Sequence, residues 1–101
     1  MHPPFDSTVY IVDDDIGVRE GMAWLLRTRR LLSESYDSAE AFLDMLNAAT
    51  QEPYASALPQ QAGCILLDVR MPGMSGLALF EQLQASGIAQ AWPVIFLTGH
   101  A

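Results

Sequence analysis

Three short runs of this chain are apolar at successive positions: "TVYIV" (Thr8–Val12), "GCILL" (63–67) and "PVIFL" (93–97). A strand with one wet face alternates apolar and polar residues. Unbroken, β-branched-rich runs of this length predict strands buried on both faces, as parallel strands covered by helices are. A fourth run, "LLSESY" (31–36), is more polar and alternates loosely, which predicts an edge strand. Between these runs the apolar period becomes helical. Val18, Met22, Leu25 and Leu26 fall at i, i+4, i+7 and i+8, with Arg19, Glu20 and Arg27 on the other side. Ala39, Phe42, Leu43 and Leu46 repeat the pattern after "DS", where Ser38 is a candidate N-cap and Glu40 lies in the first turn. Gly76, Leu79, Phe80 and Leu83 make a third stripe, opened by Ser75 and closed by Gly87. Residues 47–62 contain Pro53 and Pro59 and read as a long loop, and residues 1–7 read as a flexible tail.

The order is thus β-α-β-α-β-α-β, which predicts an α/β domain: a doubly wound parallel sheet with right-handed crossovers and helices on both faces. In such sheets ligands sit beyond the carboxyl ends of the strands. Asp13, Asp14 and Asp15 follow the first strand, Asp68 the third, and Thr98 and Gly99 the fourth. One edge of the sheet would therefore collect several carboxylates and a hydroxyl.

Bulk properties narrow what such an edge serves. A chain of 101 residues supports one core, and at 50% apolar and 17% charged it reads as globular. There is no apolar run of the ~18 residues a membrane span needs, and "MHPPFDS" has neither the basic region nor the apolar core of a secretory signal. The single cysteine, Cys64, permits no internal disulfide, in keeping with a reducing cytoplasm, and its place in an apolar strand marks it as a core residue. A net charge of −7 argues against contact with nucleic acid by this segment. All five basic residues are arginine, and lysine is absent. His2 and His100 give no metal-ligand spacing, whereas Trp24, Phe42, Phe80 and Met22 read as packing residues. Arg27, Arg29 and Arg30 read as the solvated end of the first helix.

Carboxylates gathered at one edge repel, by about 4 kcal/mol for a pair at ~4 Å and an effective dielectric of ~20. Either their pKa values rise or a cation joins them. Oxygen ligands without a nearby His or Cys select Mg²⁺, or Mn²⁺ or Ca²⁺ in its place, and Mg²⁺ prefers one or two carboxylates with waters and a phosphate oxygen. That chemistry points to phosphoryl transfer, in which a carboxylate such as Asp68 can itself be the nucleophile. Taken alone, "DDD" before a helix is equally well explained by capping and dipole complementarity.

The segments "VYIVDDD", "CILLDVRMPGMSGL" and "VIFLTG", in this order and spacing, resemble the receiver domain of two-component response regulators over nearly the whole chain. The wording "IVDDD", "LDVRMPG" and "FLTGHA" is most similar to regulators of the nitrogen-fixation and nitrate-response type, with a LuxR/NarL-type helix-turn-helix output domain. The resemblance implies a flavodoxin-like (CheY-like) fold over residues 1–101. It implies that Asp68 accepts a phosphoryl group from a sensor histidine kinase, and that the chain assists this transfer without being an enzyme in the ordinary sense. It further implies a Mg²⁺ site of Asp13, Asp14, Asp68 and the backbone carbonyl of Arg70, with Asp14 a direct ligand and Asp13 acting largely through water. Thr98 matches the hydroxyl that moves to the phosphoryl group, and Gly99 the small residue beside it. Pro72, Gly73 and Gly76 shape the loop after Asp68, while Asp15 is left as a supporting or N-cap residue. The family pattern also has a fifth strand ending in Lys and two more helices, which this sequence lacks, so it reads as a C-terminally incomplete receiver. "PVIFL" would then be an uncovered edge, through which the segment is expected to dimerise, exchange elements or aggregate. Two alternatives stand beside this reading. One is a phosphorylation-incompetent interaction module. The other is a haloacid-dehalogenase-type phosphohydrolase, which needs a downstream lysine and leaves "LLDVRMPG" unexplained.

Overall fold

The computed structural model describes residues 7–50 and 63–97. The chain runs β1 (Thr8–Val12), α1 (Ile16–Thr28), β2 (Leu32–Tyr36), α2 (Ala39–Thr50), β3 (Gly63–Asp68), α3 (Gly76–Ala85), a single turn α4 (Ile88–Ala91) and β4 (Val94–Leu97). The four strands form one parallel sheet in the order β2-β1-β3-β4. β1 and β3 are the inner strands, and Ile11, Val12, Ile65 and Leu67 are fully buried. Each thus buries neighbouring side chains on opposite faces, which is why their sequences do not alternate. β2, the polar run, is an edge as its pattern predicts, and β4 is the other edge of the described sheet.

The register sets the core. Tyr10 pairs with Ile65 and Val12 with Leu67, so these four share one face, where they pack with Ala39, Phe42 and Leu46 of α2 and Leu79 and Leu83 of α3. Phe42 meets the rings of Tyr10 and Tyr36 edge-on, with centroids 5.7 and 5.3 Å away, and Trp92 stacks on Tyr10 at 4.8 Å. The caps of both helices are those the sequence marks. Ala41 N–H donates to Ser38 Oγ and Ala78 N–H to Ser75 Oγ. Gly87, just past the end of α3, takes the left-handed φ of 85° that closes it.

The opposite face departs from the sequence reading. There Ile11 and Leu66 are buried, but Ile95, opposite Leu66 on β4, is 51% exposed. α1 lies over β1 and β2 and buries none of its residues. Val18 and Leu25 of its apolar stripe are exposed, and Trp24, expected to pack, is 63% exposed. The reason is coverage: one helix spans the β1–β2 half of this face, and no described element lies over the β3–β4 half. Two smaller corrections follow. Residues 47–50, expected in the long loop, continue α2, since nothing before Pro53 breaks a helix. The turn α4 was not anticipated, and four residues are too few to show a period. The remainder of the expected loop, 51–62, and residues 1–6 of the expected tail lie outside the described residues.

Candidate functional site

Val12 and Leu67 are paired across β1 and β3, so the next residues, Asp13 and Asp68, leave the sheet side by side at its carboxyl edge. The β1–β2 ladder continues one step further, with Asp13 N–H donating to Tyr36 O at 3.1 Å. This step draws Asp13 into the protein, where it is only 5% exposed, while Asp14 projects into solvent. Oxygens of Asp13, Asp14 and Asp68 all lie within 4.8 Å of one another. Among the described residues they form the cluster with the donor set for a metal ion.

Within the triplet the three carboxylates are unequal. Asp15 caps α1, accepting from Gly17 N–H at 2.7 Å and Val18 N–H at 3.2 Å. It belongs to the helix. Asp13 Oδ1 accepts from Asp15 N–H at 2.8 Å, which fixes its carboxylate while leaving lone pairs for another partner. Arg19 reaches back from α1 to donate from Nη1 to the carbonyl oxygen of Asp13 at 2.8 Å. Asp68 Oδ1 accepts from Arg70 N–H at 3.1 Å. Partial burial pushes the Asp68 carboxyl above its ordinary value, and the neighbouring Asp13 and Asp14 add to this, against the opposing pull of the Arg70 N–H.

The loop after Asp68 is closed tightly upon itself. Gly76 N–H donates to Val69 O at 3.0 Å, and a Cβ on Gly76 would overlap the carbonyl oxygen of Asp68. Gly73 has φ 74° and Met71 is buried. Gly73 and Gly76 are, with Pro72, the positions the sequence assigned to loop shaping, whereas Met71 was not singled out. Two residues that hold this edge were missed. Arg19 was placed only on the polar side of α1, and Glu40 was read only as a first-turn acid. In fact Glu40 Oε2 accepts from Met74 N–H at 3.0 Å, across 34 residues of sequence. That bond holds the Glu40 carboxyl below its ordinary value. Leu97 pairs with Asp68, and Thr98 and Gly99 lie outside the described residues.

A doubly wound parallel sheet with three converging carboxylates at its carboxyl edge defines a flavodoxin-like domain equipped for phosphoryl chemistry. Within that class the chain belongs to the response regulator receiver domain family, matched over residues 9–101, and so is the phosphoryl-accepting module of two-component signalling. It is similar to the transcriptional regulatory protein FixJ of Azorhizobium caulinodans, at 42% identity over 97 residues, which is 96% of this chain and 40% of FixJ. It is similar to the response regulator protein TodT of Pseudomonas putida, at 39% identity over 94 residues, covering 93% of this chain and 36% of TodT. The solved structure of the response regulator StyR superposes with a TM-score of 0.74 at 42% identity, over 94% of this chain and 41% of that one. The chain thus spans about two fifths of the length of the curated relatives it matches. No helix among the described residues is long and apolar enough to cross a membrane.

Proposed function

We propose that this chain receives a phosphoryl group on Asp68 from a sensor histidine kinase and thereby switches an output domain. The observation that carries the reading is the meeting of Asp13, Asp14 and Asp68, from two strands and 55 residues of sequence, within 4.8 Å. An oxygen of Asp68 attacks phosphorus, the P–N bond to the kinase histidine breaks, and its electron pair returns to the imidazole, which takes up a proton. The nucleophile and the phosphoryl group are both anionic, so the residues around Asp68 must supply or recruit positive charge. The donor set fits Mg²⁺, with Mn²⁺ or Ca²⁺ able to substitute: hard carboxylate oxygens, one exposed and one anchored, at the wet edge of a sheet. Asp13, Asp14, Asp68 and the carbonyl of Arg70 would hold it. When bound there, the ion neutralises charge on the acceptor and on the phosphoryl oxygens.

By its match to the family pattern Thr98 is the hydroxyl that answers phosphorylation, and Gly99 is the small residue beside it that suits the incoming group. The group remains on the protein as an aspartyl phosphate, so the chain is a signalling acceptor and not a turnover enzyme. The relatives' printed names support a transcription-regulating output, carried outside this segment. A net charge of −7 sets this segment against the phosphates of nucleic acid, and a place in the cytoplasm, away from membranes, goes with the family reading. Incubation with Mg²⁺ and a small phosphodonor, followed by intact-mass measurement, tests the reading. The expected result is one phosphoryl adduct, abolished in Asp68→Asn. No adduct on the wild-type chain would sink it and favour an interaction module that never accepts phosphate.

A further inference from the structure

We propose that Glu40, at the start of α2, is a positioning residue for the Asp68 site: its carboxylate clamps the tip of the 69–75 loop and so fixes the peptide groups that surround the acceptor. This rests on the metal-site reading given above. The base of the loop is held by Gly76 N–H on Val69 O, and Arg70 N–H is spent on Asp68 itself. The far side is held by a different element, through Glu40 Oε2 accepting from Met74 N–H at 3.0 Å. The fit is close on a second count. Gly73, at φ 74°, brings its backbone so near that a Cβ there would stand 2.6 Å from the same Oε2. The carboxylate, although solvent-exposed, thus lies against two successive residues of the turn, Gly73 and Met74. Ser38, two residues earlier, caps α2 and fixes the helix end from which Glu40 reaches.

The loop between the two anchors contains Arg70, whose N–H orients Asp68 and whose carbonyl is the fourth proposed ligand. Tilting the Pro72–Gly73–Met74 turn rotates the peptide planes leading back to Arg70. Groups one step behind metal ligands set ligand orientation, and their loss typically weakens metal affinity by about ten-fold or more.

The test uses the full chain, with Mg²⁺ affinity measured by calorimetric titration and exchange of the Met74 amide measured by NMR. In Glu40→Ala the expected result is about ten-fold weaker Mg²⁺ binding together with faster exchange at Met74. Glu40→Asp, which keeps the charge and suits a helix start but is one methylene short, should behave like the alanine variant. Glu40→Gln, whose amide oxygen can still accept from Met74 N–H, should bind Mg²⁺ nearly as the wild type does. A pure helix-dipole effect would reverse the ranks of Asp and Gln. Wild-type affinity in both Glu40→Ala and Glu40→Asp, while Asp14→Asn weakens binding, would overturn the clamp and leave the metal site standing. Failure of the wild-type chain to bind Mg²⁺ would overturn the metal site and the clamp with it.

Discussion

Neutralising Asp68 should stabilise the fold when no divalent cation is present. Oxygens of Asp13, Asp14 and Asp68 lie within 4.8 Å of one another. At that separation a like-charged pair costs about 3.5 kcal/mol at an effective dielectric of ~20 and about 0.9 kcal/mol in bulk water. Asp13 is buried and Asp14 exposed, so the first figure is the nearer for Asp68 with Asp13 and the second for Asp68 with Asp14. Asp68→Asn relieves both repulsions. The amide oxygen keeps the bond from Arg70 N–H, at a loss of about 1 kcal/mol because its acceptor is no longer charged. Mobile ions and side-chain relaxation take a further share, and about 2 kcal/mol remains.

Urea unfolding in a chelating buffer measures this directly. With a slope of about 2 kcal/mol per molar for a small domain, the midpoint of Asp68→Asn should rise by about 1 M. Two controls follow from the same physics. In about 1 M NaCl, where the screening length is about 3 Å, the gap should narrow. Under saturating Mg²⁺ the wild-type protein gains binding free energy that the variant largely lacks, and the gap should close or reverse. A midpoint for Asp68→Asn equal to or below the wild type in chelator would refute the premise that uncompensated repulsion is stored at this edge.

Gly76→Ala places a methyl group against the Asp68 carbonyl, a backbone atom that cannot step aside, and should cost about 1–3 kcal/mol in the same urea assay. A cost within error of zero would show that α3 does not press on the acceptor. Burial first, and then the Glu34 carboxylate that Tyr36 donates to at 2.9 Å, hold the Tyr36 phenol above its ordinary value. A raised folded-state value stabilises the fold while the phenol is neutral, so this contribution is complete below the unfolded value of about 10 and is lost as pH climbs beyond it. Urea midpoints taken across alkaline pH should therefore fall less steeply for Tyr36→Phe, and equal slopes would contradict the assignment. Ile95 stands exposed on the β4 edge, so Ile95→Lys should reduce self-association in light scattering; a wild-type chain that stays monomeric at high concentration would count against an adhesive edge.

What could be read from the sequence divides along a physical line. β1 and β3 were legible because a strand buried on both faces is apolar throughout, but the same pattern in β4 overstates its burial, since Ile95 is 51% exposed. The convergence of Asp13 with Asp68 was legible for a related reason: parallel strands of one sheet deliver their next residues to the same edge. The packing of α1 was not legible. An apolar stripe records what a helix face is suited to cover, and on this side of the sheet the β3–β4 half has no described element over it, so Trp24, Val18 and Leu25 stay exposed. The end of α2 was misplaced because Asn47 to Thr50 carry no breaker, and the proline that suggested a loop stands beyond them, at position 53.

The supports of the site were illegible for a different reason. Arg19 and Glu40 both act on backbone atoms, the Asp13 carbonyl and the Met74 N–H, and every residue but proline offers the same pair of groups to a partner. A site assembled from side chains leaves a letter in the sequence for each member, as Asp13 and Asp68 do. A side chain that recognises backbone leaves only its own letter, which on a helix surface is indistinguishable from a solvated charge. The glycine beneath Glu40 is the nearest thing to a signature. Gly73 is favoured by its positive φ, and the Glu40 carboxylate lies where a Cβ there would stand. In this chain the acid in the first turn of α2 and the glycine five residues after Asp68 are therefore a pair to read as one contact.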